Sequence, residues 1–213
     1  TVKEISTIRS VTGGDDQVVI IETDGNQDVY EEIKPPVIND MKDFIAAVRA
    51  SGLVGLGGAS FPTHIKLNPK NLEEVDTLIV NAAECEPFIT SDHRLMLENT
   101  EYIIKGAVAI MKHLGLKKGH IGVEENKPDA IEKLRKVIAD MGHSGDIEVN
   151  VLRARYPQGA ERVMIYEITG KTLRAGMLPA DVGCVVDNVA TVRAIYRAVA
   201  KTEPLMERGF TVS

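Results

Sequence analysis

The sequence predicts an α/β fold: a Rossmann-like parallel sheet with helices on both faces, preceded by a small β segment. Three observations predict it. A strand–helix–strand unit runs from His120 to Val151, and short alternating units of that kind favour a parallel sheet covered by helices. A short apolar run, Thr77–Asn81, is bounded by polar residues, as a buried strand is. Ahead of both, residues 1–33 read as β-structure and are cut off by Pro35-Pro36.

In chain order, Val2, Ile5 and Ile8 mark a first strand, and Gly13-Gly14-Asp15-Asp16 turns the chain. Val18–Ile21 is a buried-strand run, and Asp24-Gly25 is a turn signal. Asn39 can cap a helix with Met41, Phe44, Ile45 and Val48 on one face. A glycine-rich loop follows, Gly55 to Ser60, and then the strand Thr77–Asn81. One long helical region is expected from Ser91 to Leu114, with Ile103, Ala107, Ile110, Met111 and Leu114 as its stripe. His120–Val123 is a strand, and Pro128 sits in the first turn of a helix carrying Ala130, Ile131, Leu134, Val137, Ile138 and Met141. Gly142 ends that helix, Ile147–Val151 is the next strand, and a last helix spans Asn188–Ala200.

Composition narrows the classes. The 213 residues are 44% apolar and 26% charged, with a net charge of −6. That length carries a full core without staples, and disorder as the dominant state is excluded. The acidic balance argues against nucleic acid as a partner. No apolar run approaches the roughly 20 residues that cross a bilayer. Cys85 and Cys184 form no CxxC pair, so neither a disulfide framework nor a cysteine-only metal site is expected. The five histidines lack metal-ligand spacing. The opening at Thr1 without methionine and the strand-like ending Gly209–Ser213 suggest a piece of a longer protein.

Four stretches can carry chemistry. In Gly55-Leu56-Gly57-Gly58-Ala59-Ser60, clustered glycines let backbone N–H groups reach a phosphate, but a helix rather than a strand precedes them, so a flexible turn is an equal reading. Asn81-Ala82-Ala83-Glu84-Cys85-Glu86 stands at the C-terminal end of a strand, where α/β folds bind ligands. Its carboxylates suit ribose hydroxyls, or else are solvated or paired with Arg94 and Lys66. In Tyr156-Pro157-Gln158-Gly159-Ala160-Glu161, Gly159 can admit a ring, while Glu161 is also what a helix dipole favours. In Val186–Thr191, Asn188 lines a site or simply caps a helix.

Taken together, the runs Ser51–Leu67, Val80–Met96, Tyr156–Glu161 and Leu178–Gly183 closely resemble the RnfC family, the C subunits of Rnf electron-transport complexes. The resemblance covers essentially the whole chain and extends more distantly to the flavoprotein subunit of respiratory complex I. It implies a non-covalent FMN site and an NADH site. By that resemblance Gly55, Gly57, Gly58 and Lys66 hold the FMN phosphate and ring, while Asn81, Glu84, Tyr156, Gly159, Asn188 and Thr191 line the flavin. Phe61 and Glu86 hold the adenine and ribose of NADH, and Glu161 lies beside the nicotinamide. No residue is expected to be catalytic, because hydride transfer belongs to the cofactors.

The resemblance further implies electron flow from reduced ferredoxin, reached indirectly, to NAD⁺. It implies other subunits of a membrane complex as partners, with a peripheral position on the cytoplasmic side. The family's [4Fe–4S] clusters belong to the full-length protein and have no cysteines here. Residues 1–33 then read as the tail of a barrel-like β module, and 34–213 as the FMN/NADH-binding domain. Departures from the pattern are Ser60 for the usual glycine, Leu56 for arginine, Ala83 and Ala160 for acidic residues, and Pro69 for a second aromatic. Alternatives are a related electron-transfer flavoprotein, either a cobalamin reductase or a partner of proline reductase, and a docking module whose cofactor site has decayed.

Overall fold

The computed structural model describes residues 1–10, 13–26, 28 and 30–212. The chain divides into two compact units, Thr1–Ile33 and Lys34–Ser213. In the first, β1 (Val2–Arg9) and β2 (Asp15–Ile21) pair antiparallel, with Ile5 opposite Val19 and Arg9 opposite Asp15. Gly13, at φ +90°, turns the chain between them and donates its N–H to Ser10 O at 3.0 Å.

The second unit holds a parallel sheet of β3 (Thr77–Asn81), β4 (Lys118–Glu124), β5 (Ile147–Leu152) and β6 (Cys184–Asn188), in the order β5-β4-β3-β6. Its helices are α1 (Met41–Ala50), the short α2 (Thr63–Lys66), α3 (Ser91–Glu98), α4 (Thr100–Leu114), α5 (Pro128–Asp140), α6 (Glu161–Thr169) and α7 (Val189–Lys201). Side chains of β3 alternate between two cores: Leu78 and Val80 enter the larger, which α1, α4, α5 and α7 share, and Ile79 enters the smaller, with Met164 and Ile165 of α6. Helices therefore cover both faces, and every strand of this sheet is parallel to its neighbours, as the sequence predicts.

Five local expectations change, the first being the buried run Val18–Ile21, whose Val19, Ile20 and Ile21 side chains are exposed. The cap of α1 is Asp40, whose Oδ1 accepts from Asp43 N at 2.9 Å, and not Asn39. The expected single helix from Ser91 to Leu114 is two helices broken at Asn99, which sits at φ −126°, ψ 28° and binds Arg193 Nε through Oδ1 at 2.9 Å. β6 is a strand that the sequence pattern does not reveal. The ending Gly209–Val212 carries no strand, and Ser213 lies outside the described residues.

Strand order sets where ligands go. The chain climbs from β3 through β4 to β5 by way of α4 and α5 on one face, then crosses by α6 on the other face to β6, on the far side of β3. That reversal opens a crevice at the C-terminal ends of β3 and β6. α7 leaves β6 there and packs tightly on α4. A Cβ on Gly106 would stand 2.1 Å from the Val192 carbonyl oxygen, a distance no packing tolerates. Gly106→Ala is therefore expected to destabilise the unit by about 3 kcal/mol, read as a lower urea midpoint.

Candidate functional site

The cleft at this crevice has a volume of about 560 Å³, inside the range of small-molecule sites. The register of the two central strands builds its floor, since Asn81 at the end of β3 lies directly opposite Asn188 at the end of β6. Asn188 Oδ1 accepts from Ala190 N at 2.9 Å, capping α7, so the positive end of that helix meets the cleft. Asn81 Nδ2 donates to Gly159 O at 2.8 Å, which ties β3 to the segment before α6.

The glycine loop forms a second wall. It is a closed excursion: Gly55 N donates to Phe61 O at 2.8 Å, and Val54 bridges to Pro62. Leu56 N donates to Thr191 Oγ1 at 2.9 Å, which fastens the loop to the first turn of α7. Gly57 lies so close to β6 that a Cβ there would be 3.2 Å from Asn188 Cβ. Ser60, standing for the usual glycine, takes φ 51°, so the loop keeps the left-handed turn that a glycine would make easily.

A third wall is the segment after β3. Glu84 caps α3: Oε1 accepts from Asp92 N at 2.8 Å and Ser91 Oγ at 3.3 Å, and Oε2 accepts from His93 N at 3.2 Å. Cys85 Sγ accepts from Gly159 N at 3.3 Å, and a Cβ on Gly159 would meet Ala83 O at 2.9 Å. The two segments thus touch along their backbones, which requires glycine at 159. Glu86 stands exposed on the wall, and Tyr156 stands at the mouth.

Gly57, Gly58, Asn81, Glu84, Glu86, Tyr156, Gly159 and Asn188 therefore line one cleft. Gly55 and Thr191 act one step behind it through the loop contacts above. Phe61 lies half-exposed on the far strand of the loop. Lys66 and Glu161 lie off the lining and pair with each other at 3.0 Å, while Lys66 Nζ also donates to Val186 O at 2.8 Å. The pairings suggested for the two wall carboxylates do not form, because Arg94 binds Glu98 and Lys66 binds Glu161.

Two carboxyls that sequence reasoning leaves without a role sit in or beside the cleft. Asp92 lines it and accepts from Asn188 Nδ2 at 2.8 Å; burial pushes its carboxyl up to about 6, with the nearby Glu84 adding to the rise. Asp187 in β6 is buried, and its Oδ2 is one of three buried side-chain atoms without a hydrogen-bond partner among the described residues, with Thr63 Oγ1 and Gln158 Nε2. Burial pushes Asp187 up to about 7 against the pull of Lys66. The only sequence signal for either is position: each falls inside a stretch already singled out for its chemistry or its resemblance. The last wall is the segment from Glu203 to Gly209, held by Glu203 and Glu207 on Arg197 and by Arg208 Nη2 on Leu56 O at 2.8 Å.

A flat ring with a phosphate tail fits this geometry. The glycine loop and the start of α7 offer N–H groups to an anion; a Cβ at 58 would meet open space, whereas at 57 and 159 it would crowd Asn188 and Ala83 O, so those glycines let the walls close up on one another. Among the described residues there is no cluster of ligands for a metal ion, and no helix is long and apolar enough to cross a membrane.

Known proteins resemble this chain in sequence and in fold. Residues 48–197 match the Nuo51 FMN-binding domain family. The chain is 43% identical over 201 residues to the C subunit of the proton-translocating ferredoxin:NAD(+) oxidoreductase complex of Clostridium ljungdahlii, covering 92% of this chain and 43% of that protein. It is 45% identical over 196 residues to the C subunit of the Na(+)-translocating ferredoxin:NAD(+) oxidoreductase complex of Acetobacterium woodii, covering 91% and 44%. It thus spans less than half the length of these relatives. Among solved structures, NAD+-reducing [NiFe]-hydrogenase in the air-oxidized state superposes with a TM-score of 0.69 at 24% identity, over 78% of this chain and 31% of that one, a likeness of fold.

The pH dependence of stability tests the buried carboxyl. Asp187 binds its proton more tightly folded than unfolded, where the ordinary value is 3.8. Stability is therefore lost as pH rises from about 4 to about 7. Asp187→Asn removes that loss, and urea unfolding is expected to show the variant matching the wild type near about pH 4 and exceeding it by on the order of 3 kcal/mol near about pH 8.

Proposed function

The chain belongs to the Nuo51 FMN-binding domain family, and from that premise we propose that its cleft seats FMN and NAD(H) in the C subunit of an ion-translocating ferredoxin:NAD(+) oxidoreductase complex. The observation that carries this reading is the meeting of four sequence-distant stretches on one crevice: the glycine loop, the end of β3, the segment before α6 and the start of α7. The names of its relatives support the same activity.

FMN, when bound, takes a hydride from NADH or gives one to NAD⁺ and exchanges electrons singly with iron–sulfur clusters, which in this reading lie outside this chain. The residues here bind and orient. Gly57 and Gly58 bring backbone N–H groups to the phosphate, Gly55 closes the loop behind them through its N–H to Phe61 O, and the start of α7, capped by Asn188 and fastened by Thr191, adds its positive end. Asn81 and Gly159 pin together the two segments that would form one wall for the ring, and Glu84 stiffens that wall by capping α3. Lys66 serves as a positive charge behind the ring, positioned by Glu161 and Val186 O. Tyr156, exposed at the mouth, and Phe61, exposed on the far strand of the glycine loop, offer flat faces for the dinucleotide, and Glu86 an acceptor for ribose hydroxyls.

Peripheral attachment to the cytoplasmic side of a membrane through the other subunits, and ferredoxin as the indirect electron source, complete the proposal. Residues 1–33 are proposed as the end of a barrel-like β module and 34–213 as the cofactor domain. The Ser60 departure is compatible with a working cradle, since the loop retains its left-handed turn and its hold on α7.

Purified protein is expected to acquire a flavin spectrum with FMN and to lose its visible absorption when NADH is added without oxygen. Gly57→Trp, which fills the cradle, is expected to abolish FMN uptake while leaving the circular dichroism unchanged. A folded wild type that takes up no FMN overturns the reading. Glu86→Gln is expected to weaken NADH about tenfold, equivalent to about 1.4 kcal/mol, with FMN affinity unchanged in a fluorescence titration.

A further inference from the structure

Asp92 opens the first turn of α3, and its side chain faces the cleft. Its Oδ2 holds the Nδ2 end of the Asn188 amide, whose Oδ1 end caps α7. One carboxyl therefore sets the orientation of the amide that stands against Gly57. The charged groups around it come from every neighbouring element. Glu84, from the loop after β3, repels it; Arg208, from the last wall, and Lys127, ahead of α5, attract it. All three are engaged elsewhere: Glu84 by the N–H groups of α3, Arg208 by Leu56 O, and Lys127 by Glu124 at 2.7 Å. On α7, Arg193 is bound to Asn99 and Glu207. Half-buried Asp92 accepts from an amide and, among the described residues, pairs with no cation.

We propose that Asp92 is a positioning residue that couples the binding of an anionic ligand in this cleft to the uptake of one proton from solvent. The inference rests on reading the cleft as the flavin site, with the FMN phosphate as the anion. Ionised Asp92 repels negative charge brought beside Asn188. Protonation forms an O–H bond on the carboxyl, removes that charge, and leaves the other carboxyl oxygen to accept from Asn188; release of the ligand returns the proton to water. The burial that already holds the carboxyl near about 6 places this exchange in the neutral range once a second negative charge arrives.

The test is FMN binding to the full chain, wild type and Asp92→Asn, by calorimetry in two buffers of different ionisation enthalpy between about pH 6 and about pH 8. The phosphate's own titration is common to both proteins and cancels in the difference. Wild type is expected to take up a proton that the variant does not, and its affinity to fall about tenfold more than the variant's across that range. Binding by both with the same pH dependence overturns the coupling alone. No binding by either overturns the flavin reading, and the coupling with it. A second readout needs no variant: in the ligand-free wild type the Asn188 side-chain amide resonances are expected to titrate with a midpoint near about 6, and resonances that stay fixed from about pH 5 to about pH 8 overturn the proposal.

Discussion

The pairing of β6 with β3 is the constraint on which the site depends. Five residues of each strand run parallel, from Thr77 opposite Cys184 to Asn81 opposite Asn188. A parallel ladder in register brings both C-terminal ends to one edge, and reversal of the strand order leaves that edge open. Everything that lines the cleft hangs from these ends. Asn188 starts α7, α7 holds the glycine loop through Thr191, and Asn81 holds Gly159. A slip of one residue would turn Asn188 to the other face and part these contacts together.

Charge is distributed unevenly across this edge. On the side of α7 and the glycine loop the backbone supplies positive potential from helix and loop N–H groups. On the side of α3 the carboxyls of Glu84 and Asp92 stand close enough to repel. Behind the strands, Lys66 divides its donors between Glu161 and the Val186 carbonyl, while the neighbouring Asp187 keeps an oxygen without a partner among the described residues. Such an arrangement orients a ligand that is anionic at one end and rich in donors at the other. The cost falls on the buried acids, which hold their protons more tightly than free ones.

Much of this was legible in the sequence, and the misses have physical causes. α5 was legible because Ala130, Ile131, Leu134 and Ile138 all bury their side chains at helical spacing. The glycine loop and the Asn81–Glu86 stretch were legible as chemistry because close backbone approach and concentrated polar groups narrow the residue types that serve. β6 was not, because a short strand buried on both faces shows no alternation, and its polar end Asp187-Asn188 doubles as a helix start. The break falls at Asn99, whose side chain accepts from Arg193, far off in sequence, a bond no local pattern announces. Asp187 was missed because its burial, and Asp92 because its partial burial, follows from packing between distant segments. An acidic residue in a helix's first turn also has an ordinary explanation in the helix dipole.

The cap that Glu84 places on α3 has a stereochemical result for whatever docks there. A carboxylate offers about four lone-pair directions. Two at Oε1 are filled by Ser91 Oγ and Asp92 N, and one at Oε2 by His93 N. A single acceptor direction remains, so Glu84 can receive one hydroxyl or imino proton along one line and cannot clasp a diol in a bidentate grip. The wall there selects by angle of approach, and discriminates between ligand orientations more sharply than a free glutamate would.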